Sequence, residues 1–370
     1  MTKVKVMLAG IGGYGELYLT RLFKLADEGK VEVVGLVDPF PSDKHADEIK
    51  SRGWKLYNTT AEFYAENSAD LACISTPIGF HTPMIIEALS HGCDVICEKP
   101  LTGDIEDVDK LIKARDKAGK FVMIGYQWSH SNAILDMKRD VIAGVYGKPE
   151  FLKTLVLWPR NKAYFKRGTG WAGKIRDKSG TLILDSVANN AAAHYLHNIF
   201  FTLGKELDRA DCNFTTEAEL WRANPIENFD TAVIRCAFRS GAKSLYIASH
   251  ATGITRNPIF EYKFSDGELI FEEETGGNII GKTKSGETKV YGNPFADNLE
   301  KLDIAVDNIL TGKVFVPCGI EAASAQVKCI ADCAKLPIQN FPVDRIKVAE
   351  NELTYVEGLH DELCALYENA

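Results

Sequence analysis

The chain has 370 residues, 45% hydrophobic and 25% charged, which suits about two domains with sizeable cores. A formal charge of −8, with no long block of Lys or Arg, argues against a broad footprint for nucleic acid. No stretch approaches the ~18 to 20 apolar residues that span a bilayer, and the short apolar run Val4 to Ala9 reads as a strand, not a signal peptide. A cytoplasmic protein is expected. Nine scattered cysteines without zinc-type spacing suit buried thiols in a reducing compartment, and no metal site is expected.

Apolar strands alternate with amphipathic helices up to Gln127, the pattern of βαβ units on a parallel sheet. Strands are expected at Lys3 to Ala9, Val31 to Val37, Asp70 to Ser75, Asp94 to Cys97 and Phe121 to Gly125. Helices are expected at Gly13 to Glu28, Lys44 to Ser51, His81 to His91, Ile105 to Ala118 and Ala133 to Ile142. Beyond these come strands at Glu150 to Trp158, Thr231 to Phe238, Ser244 to Thr252, Phe260 to Phe264 and Leu269 to Glu272. Helices return at Ala296 to Leu310, Ile320 to Ala334 and Arg345 to Tyr367. The expected architecture is an α/β Rossmann domain with a doubly wound parallel sheet, residues 1–127. Residues 128–370 are expected to form an α+β domain with a mostly antiparallel sheet.

Gly10-Ile11-Gly12-Gly13-Tyr14-Gly15 satisfies G-x-G-x-x-G between a strand and a helix. The first glycine permits a tight turn, the second lets backbone approach a pyrophosphate, and the third lets helix pack on strand. The second strand ends in Asp38, where a carboxylate accepts from ribose hydroxyls and repels a 2′-phosphate, so NAD is favoured over NADP.

Two further strand ends carry a resemblance: Ser75-Thr76-Pro77 with His81, and Glu98-Lys99-Pro100-Leu101. With them the whole chain resembles the glucose-fructose oxidoreductase and inositol dehydrogenase family, also called Gfo/Idh/MocA. The resemblance implies NAD(P)-dependent chemistry on sugars, cyclitols or related compounds, a catalytic Lys99, a cis peptide before Pro100, and a substrate-binding and oligomerisation domain at 128–370 whose large, mostly antiparallel open sheet pairs subunits into a homodimer or homotetramer. Ser75, Thr76, Pro77, His81, Glu98 and Gln127 would border the cofactor, His81 serving equally well as a helix cap. Independently, Lys99 stands at the carboxyl edge of the sheet, where its ammonium could stabilise alkoxide character as hydride leaves carbon.

The family's Asp-x-x-x-His helix departs from pattern here, at Asp185 to His197, and two registers are open. Either Asp185 is kept and Asn189 replaces the histidine, or Asn190 replaces the aspartate and His194 is kept. The distance from His194 to Gly204 favours the second, with His194 as base, Asn190 on the same helix face orienting the hydroxyl, and Asp185 supplying a carboxylate or a cap. Upstream, Arg160, Tyr164, Trp171 and Lys174, with Trp158 and Arg167, suit a sugar or its acidic derivative, or an oligomer interface. The expected activity is hydride transfer between nicotinamide and a secondary alcohol of a sugar, cyclitol or glycoside. The rivals are an NAD-dependent lyase or glycosidase working by transient oxidation, and a catalytically silent NAD-binding regulator.

Overall fold

The computed structural model describes residues 3–168 and 170–370. The chain divides into two compact units: 1–102, 106–127 and 297–320 form the first, and 103–105, 128–296 and 321–370 the second. Each unit is therefore discontinuous in sequence, with 297–320 grouped with the first and 103–105 with the second.

The first unit runs β1 (Val4–Ala9), α1 (Gly15–Asp27), β2 (Val31–Val37), α2 (Ala46–Ser51), β3 (Leu56–Tyr57), α3 (Thr60–Glu66), β4 (Leu71–Ile74), α4 (His81–Ser90), β5 (Asp94–Cys97), α5 (Glu106–Ala118) and β6 (Val122–Ile124). Its six strands are all parallel, in the order β3-β2-β1-β4-β5-β6. This is a doubly wound order, and its direction reverses between β1 and β4. α1 turns Tyr18, Leu19, Leu22 and Phe23 inward at helical spacing against the buried residues of β1 and β2.

The second unit contains α6 (Asn132–Ile142), β7 (Pro149–Leu157), α7 (Lys162–Phe165), α8 (Ala193–Thr202), β8 (Phe214–Arg222), β9 (Thr231–Phe238), β10 (Lys243–Ser249), β11 (Arg256–Phe264), β12 (Gly267–Glu272), β13 (Ile279–Thr283) and β14 (Thr288–Gly292). The chain then crosses back for α9 (Glu300–Thr311). It continues through α10 (Ile320–Cys333), β15 (Ile338–Asn340), β16 (Ile346–Val348), β17 (Thr354–Val356) and α11 (Leu359–Glu368). Nine strands form one sheet, β14-β13-β12-β11-β7-β10-β9-β8-β15, antiparallel except for the β7/β10 and β8/β15 pairs. Leu155, Leu157, Leu245 and Ile247 of β7 and β10 pack with Leu359, Leu363 and Tyr367 of α11, while α8 is buried along its whole length.

Two expected helices are corrected. Arg345 to Tyr367 is the antiparallel pair β16/β17 followed by a short helix, because Gly358 takes a left-handed φ of 78° immediately before α11. The run Asp185 to His197 becomes helical only from Ala193, so Asn190 lies in a turn outside the helix that carries His194. No disulfide forms: all nine cysteines are free.

Candidate functional site

The carboxyl ends of β1 and β4 flank the point where strand order reverses, and the glycine loop sits there. Gly10 has φ 81°, and a Cβ on it would lie 2.4 Å from Ser75 O; one on Gly15 would lie 2.0 Å from Gly10 O. Only glycine fits these two positions, which press β1, β4 and α1 together. A Cβ on Gly12 or Gly13 would meet nothing within 4 Å, so this part of the loop borders open space wide enough for backbone to approach a ligand. That combination of a tight turn, an open middle and a helix start fits a dinucleotide pyrophosphate.

Asp38 follows β2 and is half-buried. One carboxylate oxygen accepts from Ile11 N at 3.0 Å and the other from Phe40 N at 2.8 Å, which ties it to the glycine loop. Each oxygen retains capacity for a second donor, such as a ribose hydroxyl. Lys44, the nearest base in sequence, is ion-paired with Glu16.

Lys99 is half-buried at the end of β5, ahead of a cis Lys99–Pro100 peptide. Glu98 points inward: its carboxylate accepts from Tyr18 OH at 2.8 Å and Lys99 N at 3.3 Å, and it is ion-paired with Lys301 of α9. Burial opposes ionisation of Glu98, but the Lys301 and Lys99 ammoniums outweigh it and hold the carboxyl below its ordinary range. Lys301, whose side chain is 0% exposed, also donates to Gly125 O at 3.3 Å. Sequence reading missed Lys301, because a lysine on an amphipathic helix far along the chain reads as a solvated charge.

His81 is buried with Nδ1 2.7 Å from Pro100 O and Nε2 2.9 Å from Thr76 O. Both nitrogens thus face carbonyls of the loops after β4 and β5, so His81 braces those loops; burial holds its pKa below the ordinary histidine value although the two carbonyls favour protonation. Gln127 accepts from Tyr14 OH of the glycine loop at 3.1 Å. The first unit therefore gathers the loop, Asp38, Ser75 to Pro77, Lys99 and Gln127 at one set of strand ends.

In the second unit, Asp185 accepts from Gly173 N at 2.5 Å and Asn190 Nδ2 at 2.7 Å. Leu184 before it has a positive φ of 47°, a strained conformation for leucine. Asn189 is fully buried, donating to Ile183 O and Leu184 O and accepting from Gln326. Of the two registers, the one using Asn189 places an internally engaged amide at the key position. Asn190 is half-exposed, bonded to Asp185, and precedes α8, where His194 is 9% exposed. His197 contacts Ser129 Oγ at 2.9 Å and stacks on Phe201; burial drives its pKa well down.

Arg160 lies over Trp158 and Tyr164, and Arg167 lies 3.6 Å from the Tyr164 ring centre and 4.6 Å from that of Trp171. Lys174 is instead ion-paired with Glu227. His250, just beyond β10, packs edge-on to Tyr164 and donates from Nδ1 to Trp158 O at 2.8 Å. It lines a narrow pocket with Tyr164, Phe165, Asp185 and Ser186. His250 was missed in the sequence, where it is one histidine at the end of an apolar strand.

Among the described residues no helix is long and apolar enough to cross a membrane, and no cluster of His, Cys, Asp or Glu could hold a metal.

A doubly wound parallel sheet with a glycine loop at its switch point and an aspartate after its second strand is the arrangement of a dinucleotide-binding domain. The family model described as "Oxidoreductase family, NAD-binding Rossmann fold" matches residues 4–126. In that domain the chain resembles the Gfo/Idh/MocA family. It is 26% identical over 148 residues to inositol 2-dehydrogenase 4 of Saccharopolyspora erythraea, covering 40% of this chain and 43% of that protein. With myo-inositol 2-dehydrogenase of Thermotoga maritima the identity is 23% over 246 residues, 65% of this chain and 66% of the other. Most alignments with curated relatives thus span about half of the relative's length. The WlbA dehydrogenase of Bordetella pertussis, solved with NADH and UDP-GlcNAcA, shares the fold with TM-score 0.71 over 90% of this chain and 96% of its own, at 19% identity.

Proposed function

We propose that the protein is an NAD-dependent oxidoreductase that moves hydride between nicotinamide and a secondary alcohol or ketone of a sugar, cyclitol or glycoside. The observation that carries the reading is the joined pair of glycine loop and Asp38 at the strand switch point, with Lys44 held by Glu16 and so neutralised as a partner for a 2′-phosphate. The relatives named as inositol dehydrogenases support the substrate class.

Bound NAD supplies the hydride acceptor. The loop from Gly10 to Gly15 takes the pyrophosphate, and Asp38 takes the adenosine ribose hydroxyls. Lys99 donates to the reacting oxygen as its charge grows, and His194 accepts the hydroxyl proton. Asn190, held by Asp185, orients that hydroxyl; an amide cannot raise the proton affinity of His194 as a carboxylate would. A homo-oligomer paired through the nine-stranded sheet accompanies this reading and is checked by light scattering.

The test is steady NADH formation with a panel of sugars, cyclitols and glycosides, together with calorimetry of NAD against NADP. Product formed without NADH release would replace the dehydrogenase by a lyase. Tighter binding of NADP would overturn the role given to Asp38.

A further inference from the structure

Residues 160–178 carry seven Lys or Arg and a single acid, Asp177, in a chain whose net charge is −8. Two of these cations are already ion-paired: Lys162 with Glu352 and Lys174 with Glu227. Arg160 and Arg167 differ. Both are half-buried, and their only hydrogen-bond acceptors among the described residues are main-chain carbonyls, Pro159 O and Tyr164 O. Neither makes an ion pair among the described residues.

Both guanidiniums lie against the Tyr164 ring, so their planes are set by stacking and their remaining donors are held in fixed directions. Two half-buried guanidiniums kept on one aromatic platform, with no ion pair among the described residues, point to an anion that arrives from outside. The field of the two arginines also reaches His250: burial first, then Arg160 and Arg167, push its pKa down to about 3. With Nδ1 donating to Trp158 O, His250 Nε2 is left as a buried acceptor with no partner among the described residues, in the pocket lined by Tyr164 and Asp185. Both arginines and His250 thus share one aromatic platform, the Tyr164 ring.

We infer that Arg160 and Arg167 form an anion subsite, so that the substrate of the reaction proposed above is a polyhydroxylated compound bearing a carboxylate or phosphate, not a neutral cyclitol. The inference rests on the redox reading only for what happens after binding.

The test compares matched pairs: uronic and aldonic acids against their neutral parent sugars, and sugar phosphates against the same parents. Each is measured by NADH formation and by calorimetry on protein with and without NADH. In at least one pair the anion is expected to bind or react about 10- to 100-fold better, the range of one or two charge-assisted hydrogen bonds. A preference in the acid arm assigns a carboxylate, and one in the phosphate arm assigns a phosphate. Arg160→Gln and Arg167→Gln should each collapse the anion-to-neutral ratio while NADH affinity stays the same, a ratio that a merely misfolded variant does not change selectively. Neutral parents binding as well as every anion, or a preference that survives both substitutions, would overturn the inference. Arginine-dependent anion binding without any NADH would support it and sink the redox reading alone.

Discussion

Asp38 accepts from Ile11 N of the glycine loop and from Phe40 N, and in the proposed site it also takes the adenosine ribose hydroxyls. Asp38→Ala should therefore weaken NAD about 10-fold or more, as loss of hydrogen bonds to a charged group does, and narrow the preference over NADP; paired calorimetric titrations check it. Lys99 and His194 are distinguished by what they leave behind. In the proposed mechanism Lys99→Met removes one donor to a developing alkoxide and should lower kcat by about 10²- to 10³-fold with NAD affinity intact. His194→Ala removes the proposed proton acceptor and should lower kcat by about 10²- to 10⁴-fold with NAD affinity intact. Unchanged turnover in either variant on a confirmed substrate would remove that residue from the mechanism.

The elements show why some of this could be read in advance and some could not. The strands and helices of the first sheet announce themselves by apolar periodicity and by glycines at their ends. Leu56–Tyr57 and Thr60–Glu66 are too short to carry a period, and they went unread. The alanine-rich run before His194 looks helical in sequence. In the fold Ser186 Oγ accepts from Asn189 N, while the Asn189 amide takes Ile183 O and Leu184 O, and this side-chain bonding competes with helix until Ala193. Asn189→Ala should then cost about 1 to 3 kcal/mol by leaving buried carbonyls without a donor, measurable as a shift in the denaturant midpoint. Lys301→Met is the harsher change. It leaves Glu98 charged and enclosed, for an expected loss of about 3 to 5 kcal/mol, whereas replacing both Glu98 and Lys301 by apolar residues should recover much of it.

At the scale of the molecule, buried histidines fix the response to acid. Burial lowers the pKa of His81, His197 and His250, the last to about 3. Above about pH 6.5 these groups are neutral in both folded and unfolded chains and add no pH dependence. Below it the unfolded chain takes up protons that the folded one refuses, so each histidine removes up to about 1.4 kcal/mol of stability per pH unit until its folded pKa is reached. Thermal unfolding should shift to lower temperature between pH 7 and pH 5, and a flat profile would mean the imidazoles are charged in the fold. α9 has a consequence for synthesis. With Leu299 just before it, it brings Leu302, Ala305 and Val306 into the core of the first unit, and Lys301 to Glu98. A ribosome, delivering the chain from the N-terminus, releases residues 1–127 well before the segment that completes them, so the cofactor domain must wait through some 170 codons with an open hydrophobic flank and a buried acid lacking its base. A fragment ending at Gln127 should be poorly folded on its own, and splicing 297–320 onto it should restore a cooperative transition.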